Sequence, residues 1–498
     1  MVEKKTYITN FLLFFTLILV FCNTYNLHKE YPFPYHHDEW QHLAISNQII
    51  DKNYNIKQNP YFGEQLWHTD LESGFHLYVA QLFVMTGINP IFNYQFLPAL
   101  FAVITAFLFY LVLSEWTKNR YVGVAAAVLF AFLGSNVNIL GKDYFVPISF
   151  VFPLLLSFIY FWYKSIDFKS KKYLFISLGV YFTILLVHPP SFVILLFPIF
   201  FSILKNLKTF RKVYSKRILL ITSIILLLSI ILFLKDNVLE SFRYLLNLIY
   251  FELGWGKLEI KYSIPMMYGI VNSILALIGI FYSKNKKLLF FSHLVFISLA
   301  ICTFFVTFGF SVLVPYPRAV QYSMFFMIPL SSYGLLICWK KVCDIKKYRN
   351  IEFTKYKFFI QFVQLTLILI FITGLFFPKY DLDNNYKRYT YPVVTQKEYM
   401  ALKWIDSQYE DNSIVLTPYF MTSAVYPISK NKVMSLIPAP LSGGNTTANL
   451  NFFTFDCQKQ LEIIENSSVN LVVSRSKMNC NFYKNVYDNE TYVYEIIG

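Results

Sequence analysis

Apolar residues in this chain fall in long unbroken blocks, with short basic tracts standing between them. The blocks have neither the two-residue alternation of a half-buried strand nor the one-sided stripe of a surface helix. They predict helices that are apolar all round and belong in lipid. Eleven of them approach the ~20 residues that a helix needs to cross hydrocarbon: Tyr7–Cys22, Phe96–Leu113, Tyr121–Val137, Phe145–Tyr163, Tyr173–Val187, Ser191–Leu204, Ile218–Leu234, Ile264–Tyr282, Leu288–Phe308, Ala319–Trp339 and Phe358–Phe377. Phe75–Gly87 is also apolar, but at about 13 residues it suits an interfacial or re-entrant helix better than a span.

The basic tracts supply the orientation. Counted from an inside N-terminus, segments 1–6, 114–120, 164–172, 205–217, 284–287 and 340–357 face the cytoplasm and hold 24 Lys and Arg. The short outer loops 138–144, 188–190, 235–263 and 309–318 hold 6. Lys and Arg accumulate on the cytoplasmic side, so the expected fold is an α-helical polytopic membrane protein with about eleven transmembrane helices, N-terminus in and C-terminus out. No small-residue cleavage site follows the first apolar run, which is therefore read as a retained helix. A long first outer loop, residues 26–94, follows it and is expected to contain interfacial helices.

After Phe377 the apolar blocks stop, dividing the chain into a transmembrane domain, 1–377, and a small extracytoplasmic α/β domain, 378–498. The spacing of Tyr399, Met400, Leu402, Trp404 and Ile405 predicts an amphipathic helix over Gln396–Gln408, and a second helix is expected at Gln458–Glu465. Strands are expected at Ser413–Thr417, Val433–Ile437, Val469–Ser474 and Thr491–Ile497. The chain's three Asn-x-Ser/Thr sequons, at Asn445, Asn466 and Asn489, all lie in this module, which agrees with an outer location.

Composition sharpens the picture. The chain of 498 residues is 56% hydrophobic and 15% charged, where a soluble domain carries about 25% charged residues. Its formal charge of +15 would point to nucleic acid only if clustered on a soluble module. Spread between apolar blocks, it points to loops facing anionic lipid, and no nucleic-acid partner is expected. The cysteines lack metal-like spacing, and Cys457 with Cys480 could form one disulfide in an extracytoplasmic module.

Candidate chemistry gathers on the outer side. Six of the eight histidines lie between His28 and His76, around the run His36-His37-Asp38-Glu39-Trp40-Gln41-His42. Asp38 and His42 are spaced to share a helical face, with Asp38 near the helix N-terminus, where a carboxylate is favoured. The plainer reading makes Asp38 a helix cap and His36, His37 and His42 interfacial side chains. Imidazole and carboxylate also suit a metal. Asp143, in the run Gly141-Lys142-Asp143-Tyr144, and His188, before Pro189-Pro190, return to the same side and depth. Arg318 opens the tenth span, where it either snorkels to the interface or grips a phosphate.

The order of these features resembles the GT-C integral-membrane glycosyltransferases: a first helix, a long outer loop bearing Asp38-Glu39, a second outer acid at Asp143, an outer Arg318 opening a late helix, and an outer C-terminal domain. The layout is similar to members related to protein O-mannosyltransferases and aminoarabinose transferases, and more distantly to oligosaccharyltransferase catalytic subunits. The resemblance implies that Asp38 is the catalytic carboxylate with Glu39 as its motif neighbour, that Asp143 is the second acid, and that Arg318 binds the donor phosphate. His37, His42 and His188 would be accessory, and a divalent metal, Mg or Mn, would sit on Asp38 and Asp143 if present. No Trp-Trp-Asp motif occurs, and Glu72-Ser73-Gly74-Phe75 stands where a Lys-Pro-Pro-Leu segment would fall, so the sequence leaves the acceptor open.

The implied activity moves a sugar from a polyprenyl (dolichyl)-phosphate-linked donor to a protein or glycolipid acceptor on the outer face of the cell membrane. No Gly-rich nucleotide motif is present, and none is needed. A lipid flippase or solute transporter would instead place ionisable residues in mid-span and pair interrupted helices. A non-catalytic assembly subunit would leave Asp38 and Asp143 without a role.

Overall fold

The computed structural model describes residues 2–52, 58–63, 72–135, 139–205, 250–252, 268–283, 285–312, 314–344, 363, 365, 393–411, 413–437 and 443–497. The expected spans Ile218–Leu234 and Phe358–Phe377 lie outside them, apart from residues 363 and 365. The chain is mostly helical and divides into two compact units. One comprises residues 1–26, 98–143 and 147–387, the other 27–97, 144–146 and 388–498.

The first unit is a helical bundle. Its helices are α1 (Val2–Tyr25), most of α5 (Leu97–Thr117), α6 (Arg120–Ala131), α7 (Pro147–Asp167), α8 (Lys171–Val187), α9 (Pro189–Lys205), α10 (Ile270–Tyr282), α11 (Lys286–Phe308) and α12 (Tyr316–Asp344). Among the described residues, five helices are long and apolar enough to cross a membrane, and α6, α10 and the Pro189–Phe200 part of α9 are shorter apolar helices. This is a multi-pass membrane protein. Large side chains such as Phe11, Phe14, Phe281 and Phe296 are exposed on the bundle surface, as a lipid-facing wall requires.

Two of the predicted spans are interrupted among the described residues. In the expected span Tyr121–Val137 the helix ends at Ala131, because Gly134 and Ser135 favour a turn over another helical turn; residues 136–137 lie outside the described residues. The expected span Ile264–Tyr282 is interrupted at Gly269, whose φ of +95° cannot continue a helix, and runs on as α10 from Ile270; residues 264–267 lie outside the described residues.

The loops meet as the charge alternation requires. Lys164 pairs with Glu115 at 3.0 Å, Lys287 pairs with Asp167, and Asn285 donates to the Trp116 carbonyl at 3.0 Å. Segments 114–120, 164–172 and 284–287 thus share one end of the bundle. Near the start of α12, by contrast, Gln321 packs on Gly141 and Tyr322 reaches His188, which joins the 138–144 and 188–190 turns.

Helices α10 and α12 meet through reciprocal glycines. A Cβ on Gly279 would stand 2.0 Å from the Leu330 carbonyl oxygen, and one on Gly334 the same 2.0 Å from that of Leu275. Without a hydrophobic drive between helices in lipid, such close backbone approach is what holds a pair together. Gly334→Val therefore wedges the pair apart, and overpacking of this kind costs about 1–3 kcal/mol. The detergent-solubilised variant should melt well below wild type, whereas Gly179→Val, at a helical glycine with nothing within 4 Å, should lose only helix propensity. Equal melting of the two variants would remove the close-approach account.

In the second unit, α2 (His37–Asp51), α3 (Ser73–Thr86) and the short α4 (Pro90–Asn93) pack with the C-terminal module. The 14-residue α3 covers the apolar run Phe75–Thr86 and is ended by Gly87 at φ +63°. Gln41 donates to the Ile437 carbonyl at 2.9 Å, the Tyr61 hydroxyl to that of Ser423 at 2.6 Å, and the Val394 amide to the Tyr31 hydroxyl at 3.0 Å.

The module itself is α/β. Strands β3 (Ile414–Leu416), β4 (Lys432–Val433), β7 (Leu471–Ser474), β8 (Tyr483–Asp488) and β9 (Tyr492–Ile496) form one sheet in the order β4-β3-β7-β9-β8, with β3 parallel to β4 and β7, and β9 antiparallel to β7 and β8. The predicted helices appear as α13 (Gln396–Gln408), with its Thr395–Glu398 capping box, and α16 (Cys457–Ser467), capped by Asp456; α14 (Thr422–Ser429) and α15 (Thr446–Asn451) lie between them. The predicted strand Val433–Ile437 divides at Met434: Val433 stays in the main sheet, while β5 (Ser435–Leu436) pairs with β6 (Gly443–Gly444). Two further strands pair apart from the module, β1 (Tyr250–Glu252) antiparallel with β2 (Phe310–Val312). Cys457 and Cys480 form a disulfide.

Candidate active site

The candidate residues of the first loop sit on the first turn of α2. His36, not Asp38, is the N-cap: its Nδ1 accepts the Asp38 amide at 3.1 Å, and Glu39 closes the capping box by accepting the His36 amide at 2.9 Å. The Asp38 carboxylate is thereby released from capping. Its Oδ1 lies 3.2 Å from His37 Nε2 and 3.5 Å from His36 Nδ1, with the side chain 15% exposed. Burial holds His37 below the usual imidazole range despite the Asp38 charge, so its ring is neutral near pH 7.

His36, His37 and Asp38 each offer a ligand atom within 4.8 Å of the others, which makes them a group able to hold a metal ion. Two imidazoles and one carboxylate suit Zn or Mn better than Mg, which prefers oxygen.

Glu39 and His42 turn elsewhere. Glu39 is fully buried, and both carboxylate oxygens accept backbone N–H groups. His42 shares α2 with Asp38, yet its Nδ1 is 2.8 Å from Nε2 of His76, and the buried pair joins α2 to α3.

In the bundle, Asp143 accepts from the Ser135 hydroxyl and pairs with buried Lys142. Arg318 stands on the first turn of α12, half-buried. One turn further along, the Tyr322 hydroxyl lies 2.5 Å from Ser191 Oγ and 3.1 Å from His188 Nδ1, while Ser191 Oγ is 2.8 Å from the same nitrogen. Burial and then the Arg318 charge hold His188 well below its ordinary range, so it stays neutral. Gln321 is wholly buried, with neither amide atom hydrogen-bonded, and a Cβ on Gly141 would meet its Nε2 at 2.5 Å. A side chain at 141 would require the Gln321 amide to move.

The sequence pointed to His188 and Arg318 but not to Ser191, Gln321 and Tyr322. The available signal was helical spacing: Gln321 and Tyr322 stand three and four residues beyond Arg318, on its face.

No protein-family model matches the chain, and no curated protein matches its sequence. Solved structures do match. The oligosaccharyltransferase of Archaeoglobus fulgidus, tethered with an acceptor peptide containing the NVT sequon, is 14% identical with a TM-score of 0.60, over 95% of this chain and 69% of that one. ArnT of Cupriavidus metallidurans, bound to undecaprenyl phosphate, is 9% identical with a TM-score of 0.59, over 98% of both chains. Both are GT-C glycosyltransferases. The chain has the GT-C fold. A second A. fulgidus structure, AglB in complex with an inhibitory peptide and a dolichol-phosphate, agrees with a TM-score of 0.58. Within this GT-C fold, the ArnT match reaches nearly every residue of both chains.

Proposed function

We propose that the protein transfers a sugar from a polyprenyl-phosphate-linked donor to a hydroxyl or amide of a protein or glycolipid acceptor, at the extracytoplasmic face of the plasma membrane. The observation that carries this reading is the start of α12. Arg318, a permanent cation at the start of an apolar helix, stands within electrostatic reach of the neutral His188–Ser191–Tyr322 network, and a cation beside hydroxyl groups suits a phosphate. The fold supports it, since AglB and ArnT were each captured with a polyprenyl-type phosphate.

In this mechanism the acceptor atom bonds to the anomeric carbon as the bond from that carbon to the phosphate oxygen breaks. Asp38 takes the acceptor's proton, and the polyprenyl phosphate leaves with the electron pair. Arg318 stabilises the charge that gathers on the departing phosphate. Asp143, fixed by Lys142 and Ser135, supplies the second carboxylate. A metal held by Asp38 with His36 and His37 would polarise donor or acceptor oxygens.

A transporter reading is less well supported: in the described long spans the charged residues, Glu115, Lys164, Asp167, Lys286, Lys287, Arg318, Lys340 and Lys341, stand near the helix ends. The test is direct. Purified protein in lipid should convert radiolabelled polyprenyl-phosphate sugars to labelled acceptor, with equimolar release of polyprenyl phosphate. Lipid crossing a vesicle without cleavage of the sugar–phosphate bond would select the flippase instead.

A further inference from the structure

Among the described residues of the second unit, Glu39 is a fully enclosed carboxylate. None of its surface is exposed, and three backbone N–H groups fill its oxygens: Tyr35 at 2.8 Å and His36 at 2.9 Å on Oε2, and Phe145 at 2.7 Å on Oε1. The first two close the start of α2. The third comes from more than a hundred residues away. The Phe145 carbonyl in turn accepts the buried Tyr94 hydroxyl at 2.7 Å, so the residue is held through both its N–H and its C=O.

The chemistry of the side chain fits that duty. A carboxylate offers about four lone-pair sites and no donor, which matches three converging N–H groups. A glutamine would turn its NH2 toward one of them, and an aspartate would be a methylene short. Burial pushes the Glu39 pKa up, while the three N–H bonds and the His28 side chain work in the opposite direction. An acid enclosed in this way reaches no substrate.

We propose that Glu39 is a positioning residue: through the Phe145 amide it couples the backbone that presents Asp38, one residue before it, to the 144–146 segment of the same unit. This assignment rests on the glycosyl-transfer reading and makes the adjacent acids of Asp38-Glu39 unlike in role. Asp38 performs chemistry, and Glu39 fixes where two chain segments stand. Tyr94 is its partner across the Phe145 peptide.

The test compares Glu39→Gln and Tyr94→Phe with wild type, each purified in lipid and normalised to folded protein by size exclusion. For Glu39→Gln, kcat should fall by about a hundredfold, the scale of a misplaced catalytic group, with KM for the polyprenyl-phosphate sugar unchanged and the pH–rate profile keeping its shape. Amide exchange at Phe145 should speed up in the same variant. Tyr94→Phe, which removes one hydroxyl and spares α2, should fold normally and show a smaller loss of the same kind. Unchanged kcat per folded molecule in an active enzyme, or a lost limb of the pH profile, would overturn the positioning role. Should Glu39→Gln fail to fold, unchanged kcat and unchanged Phe145 exchange in Tyr94→Phe overturn it alone. A wild-type protein that transfers no sugar instead brings down the functional reading on which it rests.

Discussion

Asp38→Asn should abolish sugar transfer while the protein still inserts, folds and carries its disulfide. The substitution removes one charge at nearly constant volume. Asparagine is as good a helix cap as aspartate, so a loss caused by Asn cannot be a loss of capping, and the cap here is in any case His36 with Glu39. A positioned base contributes about 10²–10⁴-fold to a rate, and a carboxylate that also orients a metal contributes more. The measurement is initial rate in lipid at saturating donor and acceptor, with melting temperature as the folding control. His36→Ala is the informative companion: it removes the cap and should lower stability by about 1 kcal/mol, while leaving the Asp38 carboxylate in place. If Asp38→Asn turns over like wild type, Asp38 is a surface charge at a helix start, and the catalytic role passes to another residue.

Much of this architecture was legible because lipid imposes simple rules. Span length, the absence of charge in mid-helix and the Lys/Arg alternation all follow from the cost of polar groups in hydrocarbon. The alternation also anticipated which loops would meet, as the Lys164–Glu115 and Lys287–Asp167 pairs show. In the C-terminal module, helices α13 and α16 were legible because capping residues and periodicity agree locally. Strand β8 was missed: Tyr483–Asp488 is an edge strand with little buried surface, so no alternation marks it.

What the sequence withheld was long-range. That Glu39 binds Phe145, that Gln41 reaches Ile437 and that Gln321 lies on Gly141 are facts of tertiary approach, and no local pattern carries them. Sequence placed Asp38 and Glu39 together as candidate catalytic acids, since adjacent acids look alike on paper. Their surroundings separate them: one is flanked by imidazoles and partly open, the other is sealed by amides. Capping by His36 was equally hidden, because histidine is not among the preferred N-cap residues, and only the geometry reveals its Nδ1 in that role. The helical spacing of Asp38 and His42 misled for a related reason. A shared helical face fixes direction only roughly, and His76 on α3 draws His42 into the packed interior.

Arg318 offers the second large effect, and the series Arg318→Lys and Arg318→Ala should be graded. It is the only Lys, Arg, Asp or Glu between Lys287 and Lys340, and it stands on the first turn of α12 within electrostatic reach of the buried His188. Lysine keeps the charge and loses the planar fork; alanine loses both. A charge-assisted contact to a phosphate in a partly dry site is worth about 1.5–3 kcal/mol, which corresponds to about ten- to two-hundredfold in use of the donor. The alanine enzyme should therefore be nearly inactive and the lysine enzyme partly active. Because the partner is the donor, the defect should appear when carrier-linked sugar is varied at saturating acceptor, and not in the reverse titration. Removing the cation also relieves one of the two influences that keep His188 neutral, so that histidine should titrate at higher pH in the alanine variant, with burial still holding it below its ordinary range. If both variants insert and turn over like wild type, Arg318 merely reaches for the interface, and the phosphate must be held by other groups.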